Sequence, residues 1–372
     1  MTQAKQQLTI KELTEAVGDK VTPRMVRHYH ELGLLPQPKR SRGNYRLYDD
    51  ADVQCLRRIV VLKQQGFQLS HIRQLLAAQG KAPQHSMAII EQLQQHYQML
   101  MRQLVQLRQT AMAVEGILGR DQDCQTVQIE ALTKLQVLQF EANDLTTDHV
   151  WDELDCAASD HPENFQQALE HLLPDLSERS EIEVDLLTEM VLACGDVSLV
   201  HFVRLSFDAL KAARETLKQG CTVVGDIPAV VTALDQTRLA HLGCSVQTLI
   251  DNPHINSAAE AEQTFWQQEQ WRSQLCELPE GCVLVIGYAP SVLMAICTAI
   301  QTQQVRPALV IGLPIGFSHA PAAKRRLQHS GVPFITTEGT QGGGLLAAVA
   351  LNSLVKTLIE KPNCHCYLKG KA

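Results

Sequence analysis

The chain has 372 residues, 45% of them apolar and 20% charged, enough to fill two cores and unlike the composition of a largely disordered protein. Its formal net charge of −7 argues against a wholly nucleic-acid-binding protein, yet residues 1–80 hold 13 Lys and Arg against 7 Asp and Glu, so a basic head precedes an acidic body. No apolar run reaches the roughly 20 residues of a membrane span, and MTQAKQQL lacks the apolar stretch of a signal peptide, so no membrane partner and a cytoplasmic location are expected. The eleven cysteines show no framework of repeated spacings, and in a reducing compartment most are expected to be small core residues.

Thr9 and Glu12 form a capping box that opens a helix stopped by Gly18. Thr22 followed by Pro23 starts a second helix, which ends at Gly33. Two short helices joined by a tight turn predict a helix-turn-helix whose second helix presents its N-terminal residues to base edges. Arg24, Arg27 and His28 are the candidates there, with Tyr29 beside them although Val26, Tyr29 and Leu32 lie on or near the packing side. In LLPQPKRSRGNYRLY a Gly43-Asn44 turn separates cations interleaved with tyrosines. This predicts a hairpin wing in which Lys39, Arg40, Arg42, Tyr45, Arg46 and Tyr48 contact phosphates. Asp49 caps a helix ending at Gly66, and Ser70 caps another running through Leu76.

The string from TIKELTEAVGDK through VRHYHELGLL and GNYRLY to GFQLSHIRQLL resembles the N-terminal domain of the MerR family of transcription regulators. Beyond it, Ile90, Leu93, Tyr97, Leu100, Leu104, Leu107, Ala111, Val114 and Leu118 alternate steps of three and four, the seam of a coiled coil. The resemblance implies that this is an antiparallel dimerisation helix. It also implies a homodimer on promoter DNA that activates RNA polymerase there by distorting the duplex.

In the body, TVVGDI (222–227), CVLVIGYAP (282–290), PALVIGLPIGF (307–317) and PFITTEGT (333–340) are apolar strands separated by helical stretches. They predict an α/β domain with a mainly parallel sheet, its ligand site beyond the strand carboxyl ends where the turns GYAPS, GLPIGF and GTQGGG fall. LACGDVSLVHFVRLSFDALKAARETLKQGCTVVGDIPAV, YAPS, RPALVIGLPIGF and VPFITTEGTQGGG, in that order, resemble precorrin-8X methylmutase, also called cobalt-precorrin isomerase. The resemblance implies a pocket for a carboxylate-rich tetrapyrrole around Leu192, Asp226, Asn256, Tyr288, Gly342 and Gly343. It also exposes departures. Leu192 stands where the family has its proton-donating histidine, and leucine cannot act as a general acid. Asn256 stands where the family has an arginine before SAA, and Thr340 with Gln341 replace paired arginines suited to carboxylates. An inactive methylmutase-like domain is therefore expected.

The chain closes on NCHCYLKGKA, in which Cys364, His365 and Cys366 can approach one ion from a flexible, exposed tail. Thiolate with imidazole suits a borderline divalent metal. Affinity order does not select cobalt(II); the combination of a MerR head, a cobalamin-pathway fold and a chelating tail does, because it resembles the cobalt-responsive MerR activators of cyanobacteria that switch on a cobalt-exporting P-type ATPase. Cys124, just past the dimerisation helix, is a further candidate ligand. The expected boundaries are a DNA-binding head over 1–80, a dimerisation helix over 81–120, a linker over 121–150, an effector domain over 151–361 and a metal-binding tail over 362–372. The alternatives are a regulator that responds to a tetrapyrrole in the retained pocket, and an active methylmutase.

Overall fold

The computed structural model describes residues 7–18, 21–41, 43–64, 67–77, 83–118, 163–267 and 270–364. The chain divides into two compact units, Met1–Gly116 and Ile117–Ala372. The sequence linker at 121–150 lies outside the described residues.

In the first unit, α1 (Ile10–Val17) begins at the expected capping box. Thr9 N–H donates to Glu12 Oε2 at 2.7 Å and Glu12 N–H to Thr9 Oγ1 at 3.4 Å. Helix α2 (Pro23–Glu31) is capped by Thr22, whose Oγ1 accepts from Met25 N–H at 3.3 Å. Proline at the first helical position has no N–H to leave unsatisfied. Strands β1 (Lys39–Arg40) and β2 (Arg46–Leu47) pair antiparallel around a turn in which Asn44 takes the left-handed conformation (φ 64°). Helices α3 (Asp50–Gln64) and α4 (Leu69–Ala77) complete a core in which Leu13, Val26, Leu56, Ile59 and Ile72 are fully buried. Helix α5 (Pro83–Leu118) then runs 36 residues, about 54 Å at the usual rise per residue.

The second unit contains α6 (Phe165–Leu172), α7 (Glu181–Cys194), a 3₁₀ turn at Val197–His201, β3 (Val203–Leu205) and α8 (Ala209–Gln219). β4 (Thr222–Gly225), α9 (Pro228–Ala233), α10 (Gln236–His241), β5 (Ser245–Thr248), α11 (Ala258–Gln267) and α12 (Gln270–Cys276) follow. β6 (Val283–Ile286), α13 (Pro290–Gln301), β7 (Leu309–Gly312), α14 (His319–Gln328), β8 (Phe334–Thr337) and α15 (Gly344–Glu360) close the fold.

The strand order is β3-β8-β7-β6-β4-β5, parallel except for β3 against β8. Every residue of β6 and β7 is buried, so both faces of the sheet are covered, as continuous apolar strands require. Helix α15 packs on β6 and β7 and is flanked by α7, α8 and α9. Ion pairs of Lys356 with Glu189 (2.8 Å) and Lys361 with Asp185 (2.6 Å) fix α7 antiparallel to α15. The four apolar runs of the sequence are β4, β6, β7 and β8. The short edge strands β3 and β5 are additional. Among the described residues no helix is long and apolar enough to cross a membrane.

Candidate functional site

The first candidate surface is on the head. Arg24, Arg27 and His28 are exposed along α2, and Lys39, Arg40 and Tyr45 are exposed on the wing, Tyr45 at 74%. Arg46 is half-buried, and Arg42 lies outside the described residues. A cleft of about 270 Å³ is lined by Thr9, Ile10, Arg27, Arg40, Asn44, Tyr45 and Arg46. Arg40 and Arg46 face each other across the two-stranded wing, and like charges directly opposite destabilise a strand pair. Arg40 donates to Asn44 Oδ1 at 2.6 Å, which orients its guanidinium without neutralising it. Two arginines side by side on a hairpin can meet an anion together.

Two of the expected DNA contacts are corrected. Tyr29 and Tyr48 are 1% and 2% exposed, members of the core. Tyr29 sits three residues after buried Val26 on the inner face of α2, and the Tyr48 hydroxyl is 3.2 Å from His30 Nε2 in a stacked, buried pair.

The second candidate site lies at the carboxyl ends of the parallel strands, where the strand order reverses between β4 and β6. Asp226 follows β4 directly and is fully buried. Its Oδ2 accepts the backbone N–H groups of Gly287 (3.1 Å), Tyr288 (2.7 Å) and Ala289 (3.0 Å), and its Oδ1 accepts that of Ile227 (3.1 Å). Burial pushes this carboxyl up to about 6 against the downward pull of the four donors.

The turns after β6, β7 and β8 interlock. A Cβ on Gly342 would lie 2.3 Å from Leu313 O, one on Gly287 would lie 2.4 Å from Gly344 Cα, and one on Gly344 would lie 2.0 Å from the Tyr288 ring. Gly343 N–H is already spent on Leu313 O at 2.7 Å, leaving one amide fewer for an anion. Lys324 of α14, which sequence reasoning passed over, is 1% exposed and pins the last turn. It donates to Thr337 Oγ1 (3.0 Å), Gly339 O (3.3 Å) and Gln341 O. Burial among neutral acceptors pushes its ammonium down to about 8.

Asp226, Tyr288, Gly342 and Gly343 are thus brought together. Asn256 is exposed, with its N–H on Glu260 Oε2 at 2.9 Å. Leu192 is 43% exposed on α7. The pairing of Glu189 with Lys356 and Asp185 with Lys361 sets it alongside the middle of α15, roughly 14 Å along that helix from Gly344. Glu262, also unforeseen, closes the start of α13 by accepting from Ser291 N–H (3.1 Å) and from the Ser291 hydroxyl, with His319 Nδ1 3.8 Å from its Oε1. The Asp226 carboxylate, the Lys324 ammonium and the Gly343 amide of this cradle hold its own turns, whereas Gln341 Oε1 is buried there without a hydrogen-bond partner.

Comparison with known proteins bears directly on these two units. Residues 163–357 match the family model described as precorrin-8X methylmutase, and residues 8–79 match the MerR HTH family regulatory protein model. The chain belongs to the precorrin-8X methylmutase family and carries a MerR-type head. The Sinorhizobium sp precorrin-8X methylmutase is 34% identical over 186 residues, covering 49% of this chain and 87% of that protein. The Pseudomonas aeruginosa precorrin-8X methylmutase is 32% identical over 173 residues, covering 45% and 81%. A crystal structure of the Thermus thermophilus precorrin-8x methyl mutase aligns with a TM-score of 0.43 at 28% identity, covering 53% of this chain and 95% of that one.

The third candidate is the end of the methylmutase-family domain. His365, Cys366 and Cys124 lie outside the described residues. Cys364 is described, and its setting corrects the expectation of a loose, exposed thiol: it is half-buried and packed against the main core. Its N–H donates to Lys361 O at 3.1 Å, and Arg214, buried in α8, donates to Lys361 O (2.8 Å) and Pro362 O (3.4 Å). Among the described residues no three His, Cys, Asp or Glu side chains form a group that could hold a metal ion. Cys244, Cys282 and Cys297 are buried core residues, as expected, and burial pushes Cys282 and Cys297 up to about 11. Cys194 and Cys276 are exposed instead.

Lys324 gives the cradle a pH signature. A buried ammonium costs stability below its folded pKa of about 8, and the cost is relieved as pH rises toward the unfolded value of about 10.4, because between the two the unfolded chain binds more protons. The stability of the wild type relative to Lys324→Met should therefore rise between about pH 7.5 and about pH 9.5. Denaturant unfolding followed by the fluorescence of Trp266 and Trp271 measures the difference, and a flat or falling difference contradicts the assignment.

Proposed function

We propose that the protein is a cobalt-sensing transcriptional activator that binds promoter DNA as a homodimer, acts with RNA polymerase at the promoter by distorting the duplex, and switches on cobalt efflux. The observation that carries the reading is the fusion itself: an arginine-faced helix-turn-helix and wing joined to a methylmutase-family domain in which Leu192 occupies the acid's place. The exposed apolar residues along α5, among them Tyr97, Leu100, Leu104, Leu107 and Val114, support a dimer, since all five are part of one heptad seam. Cobalt(II) is assigned to Cys364, His365 and Cys366, with Cys124 as a further candidate. Thiolate and imidazole donors suit a borderline divalent ion, and it is their combination with a MerR head and a cobalamin-pathway fold that supports cobalt among such ions.

A second reading, a regulator whose effector is a tetrapyrrole, is favoured by one observation. The Asp226 clamp and the interlocked glycine turns keep the cradle's shape even though the cations expected to meet carboxylates are replaced. The decisive experiment is transcription from the cognate promoter with purified protein, comparing cobalt alone, tetrapyrrole alone and both. Activation by cobalt alone supports the first reading; a requirement for tetrapyrrole supports the second.

Three outcomes follow from this reading. Arg46→Ala should weaken operator binding across sequences and flatten the dependence of log affinity on log salt by about one, whereas Arg24→Ala should change base preference by about 1–3 kcal/mol. Fluorescence anisotropy over a salt series measures both, and unchanged affinity in both variants contradicts the DNA surface.

The purified protein should also fail to turn over precorrin-8x, because no residue stands ready to protonate the macrocycle at the position of Leu192. Product formation at an ordinary enzyme rate, about 1 per second or faster, would make the domain an enzyme after all.

Replacing both Cys364 and Cys366 by Ser should abolish cobalt-dependent transcription and leave operator binding intact. Cys366→Ser alone belongs beside it, because Cys364 packs on the core, and a thermal melt of each variant separates lost metal from lost fold. Activation by cobalt at the wild-type level in the double variant removes the tail from the sensor.

A further inference from the structure

Strands β4, β5 and β6 are entered in the same way. Gly220-Cys221 precedes β4, Gly243-Cys244 precedes β5 and Gly281-Cys282 precedes β6, and the glycines are left-handed, with φ of 76°, 72° and 77°. The register makes two of these cysteines neighbours and leaves out the third. Thr222 pairs with Ser245, so Cys221 and Cys244 stand opposite each other one step earlier, whereas Val283 pairs with Val223 and Cys282 falls level with Thr222.

The two turns press together where the thiols meet. A Cβ on Gly220 would lie 3.0 Å from Gly243 O, and Ser245 N–H donates to Cys221 O at 3.0 Å. On the next rung the Ser245 hydroxyl donates to Thr222 Oγ1 at 3.1 Å. With the rung fixed in this way, Cys221 Sγ lies 3.8 Å from Cys244 Sγ. Residues opposite each other on neighbouring strands have Cα atoms about 4.8 Å apart, inside the range of about 4.4 to 6.8 Å that a disulfide spans. A bond between these sulfurs therefore needs side-chain rotation and little movement of the strands. The thiols differ in access: Cys221 is half-buried, whereas Cys244 is 8% exposed and its thiol donates to Leu217 O at 3.7 Å. Burial first, and then Cys244 beside it, push the Cys221 thiol up, so that it rests protonated.

We propose that Cys221 and Cys244 are an oxidisable thiol pair, which a small-molecule disulfide converts into an intrachain disulfide across β4 and β5. Cys221, the reachable thiol, loses its proton and attacks one sulfur of the oxidant, whose S–S bond breaks to release one thiolate. Cys244 then loses its proton and attacks Cys221 Sγ, the mixed disulfide breaks, and the second thiolate leaves. Both protons end on the two released thiols, and the pair has given two electrons to the oxidant. Because the attacking thiol rests protonated, the conversion is slow and answers sustained oxidation. The loop it closes contains β4, Asp226, α9 and α10. The bond ties β4 to β5 at their amino ends, the end of the sheet opposite the Asp226 clamp that ties β4 to β6. As an edge strand β5 has one neighbour, so it is the strand that a covalent tie secures most.

The test incubates reduced full-length protein overnight with excess glutathione disulfide, then denatures it and blocks the remaining free thiols with one alkylating reagent. Reduction and a second, heavier reagent mark the thiols that had been oxidised, and tryptic cleavage after Arg238 separates Cys221 from Cys244 for mass spectrometry. Both should carry the second label in equal amounts, the unreduced digest should contain their two peptides joined, and the buried Cys282 and Cys297 should carry the first label. The thermal midpoint of the oxidised protein should rise by about 5 °C, a rise that dithiothreitol reverses and that Cys221→Ser abolishes. Cys244→Ser should trap Cys221 as a mixed disulfide with glutathione, whereas Cys221→Ser should leave Cys244 unmodified. The labelling of the wild type decides the matter even where a variant fails to fold. If Cys221 and Cys244 carry only the first label, or if Cys221 is joined to another cysteine or to glutathione in the wild type, the pair is two packed core thiols and the proposal is wrong.

Discussion

Four backbone amides converge on the Asp226 carboxylate, and that convergence ties together the strand ends of the methylmutase-family domain. A carboxylate buried completely is tolerated only when its lone pairs are met, and here Ile227 on one side and Gly287, Tyr288 and Ala289 on the other meet them. The consequence is topological. β4 and β6 are the neighbours between which the strand order reverses, so their carboxyl ends would otherwise diverge into an open crevice. Asp226 ties the turn after β4 to the turn after β6. Tyr288, held by that tie, has its ring against Gly344, and Gly342 and Gly343 then settle against Leu313 beyond β7. Lys324 secures the far side of the same turn. Two buried charges, Asp226 and Lys324, thus hold the turns of the cradle from opposite sides.

How much of this was legible in the sequence depends on whether the determining contact was local. Caps at Thr9 and Thr22 involve partners three residues away, so the head's helices could be read directly, as could the apolar runs that became β4, β6, β7 and β8. β3 and β5 could not. They are three and four residues long, and β5, Ser245–Thr248, alternates exposed and half-buried positions at an edge of the sheet, with none of the continuous apolar character of the central strands. Lys324 reads as an ordinary surface lysine of a helix; its burial is decided by acceptors from a turn more than a dozen residues later. Tyr29 and Tyr48 were drawn toward the DNA by the arginines beside them in sequence, although the period of α2 already set Tyr29 with Val26 on the inner face. The half-buried position of Cys364 depends on Arg214, which is about 150 residues earlier and has no mark in the sequence.

The head has its own tension between stability and use. Arg40 opposite Arg46 is a poor choice for a two-stranded hairpin, which has little else to hold it, and Asn44 must adopt a positive φ to make the turn. The local hydrogen bonds compensate: Ser41 N–H to Tyr45 O, Asn44 N–H to Ser41 O, and Arg40 to the Asn44 side chain. A wing that is stabilised through its turn and repelled across its strands is one whose strand face improves when a phosphate arrives, because the anion relieves the repulsion that the isolated hairpin carries.

The same logic separates what the methylmutase-family domain retains from what it lacks. Asp226 and Lys324 are buried, and removing either partner set would strand a polar group in the interior, so they are required for the fold whether or not any ligand is processed. Leu192 and Asn256 are exposed or largely so, where a change of side chain costs the fold little. A domain released from turnover would be expected to keep the first kind and drift at the second. Chemistry-bearing groups therefore cannot be inferred from the buried charges, whose partners are all internal; they have to be sought among side chains whose polar atoms are turned outward. By that criterion Arg40, exposed on the wing opposite Arg46, is a group whose charge is open to an anion.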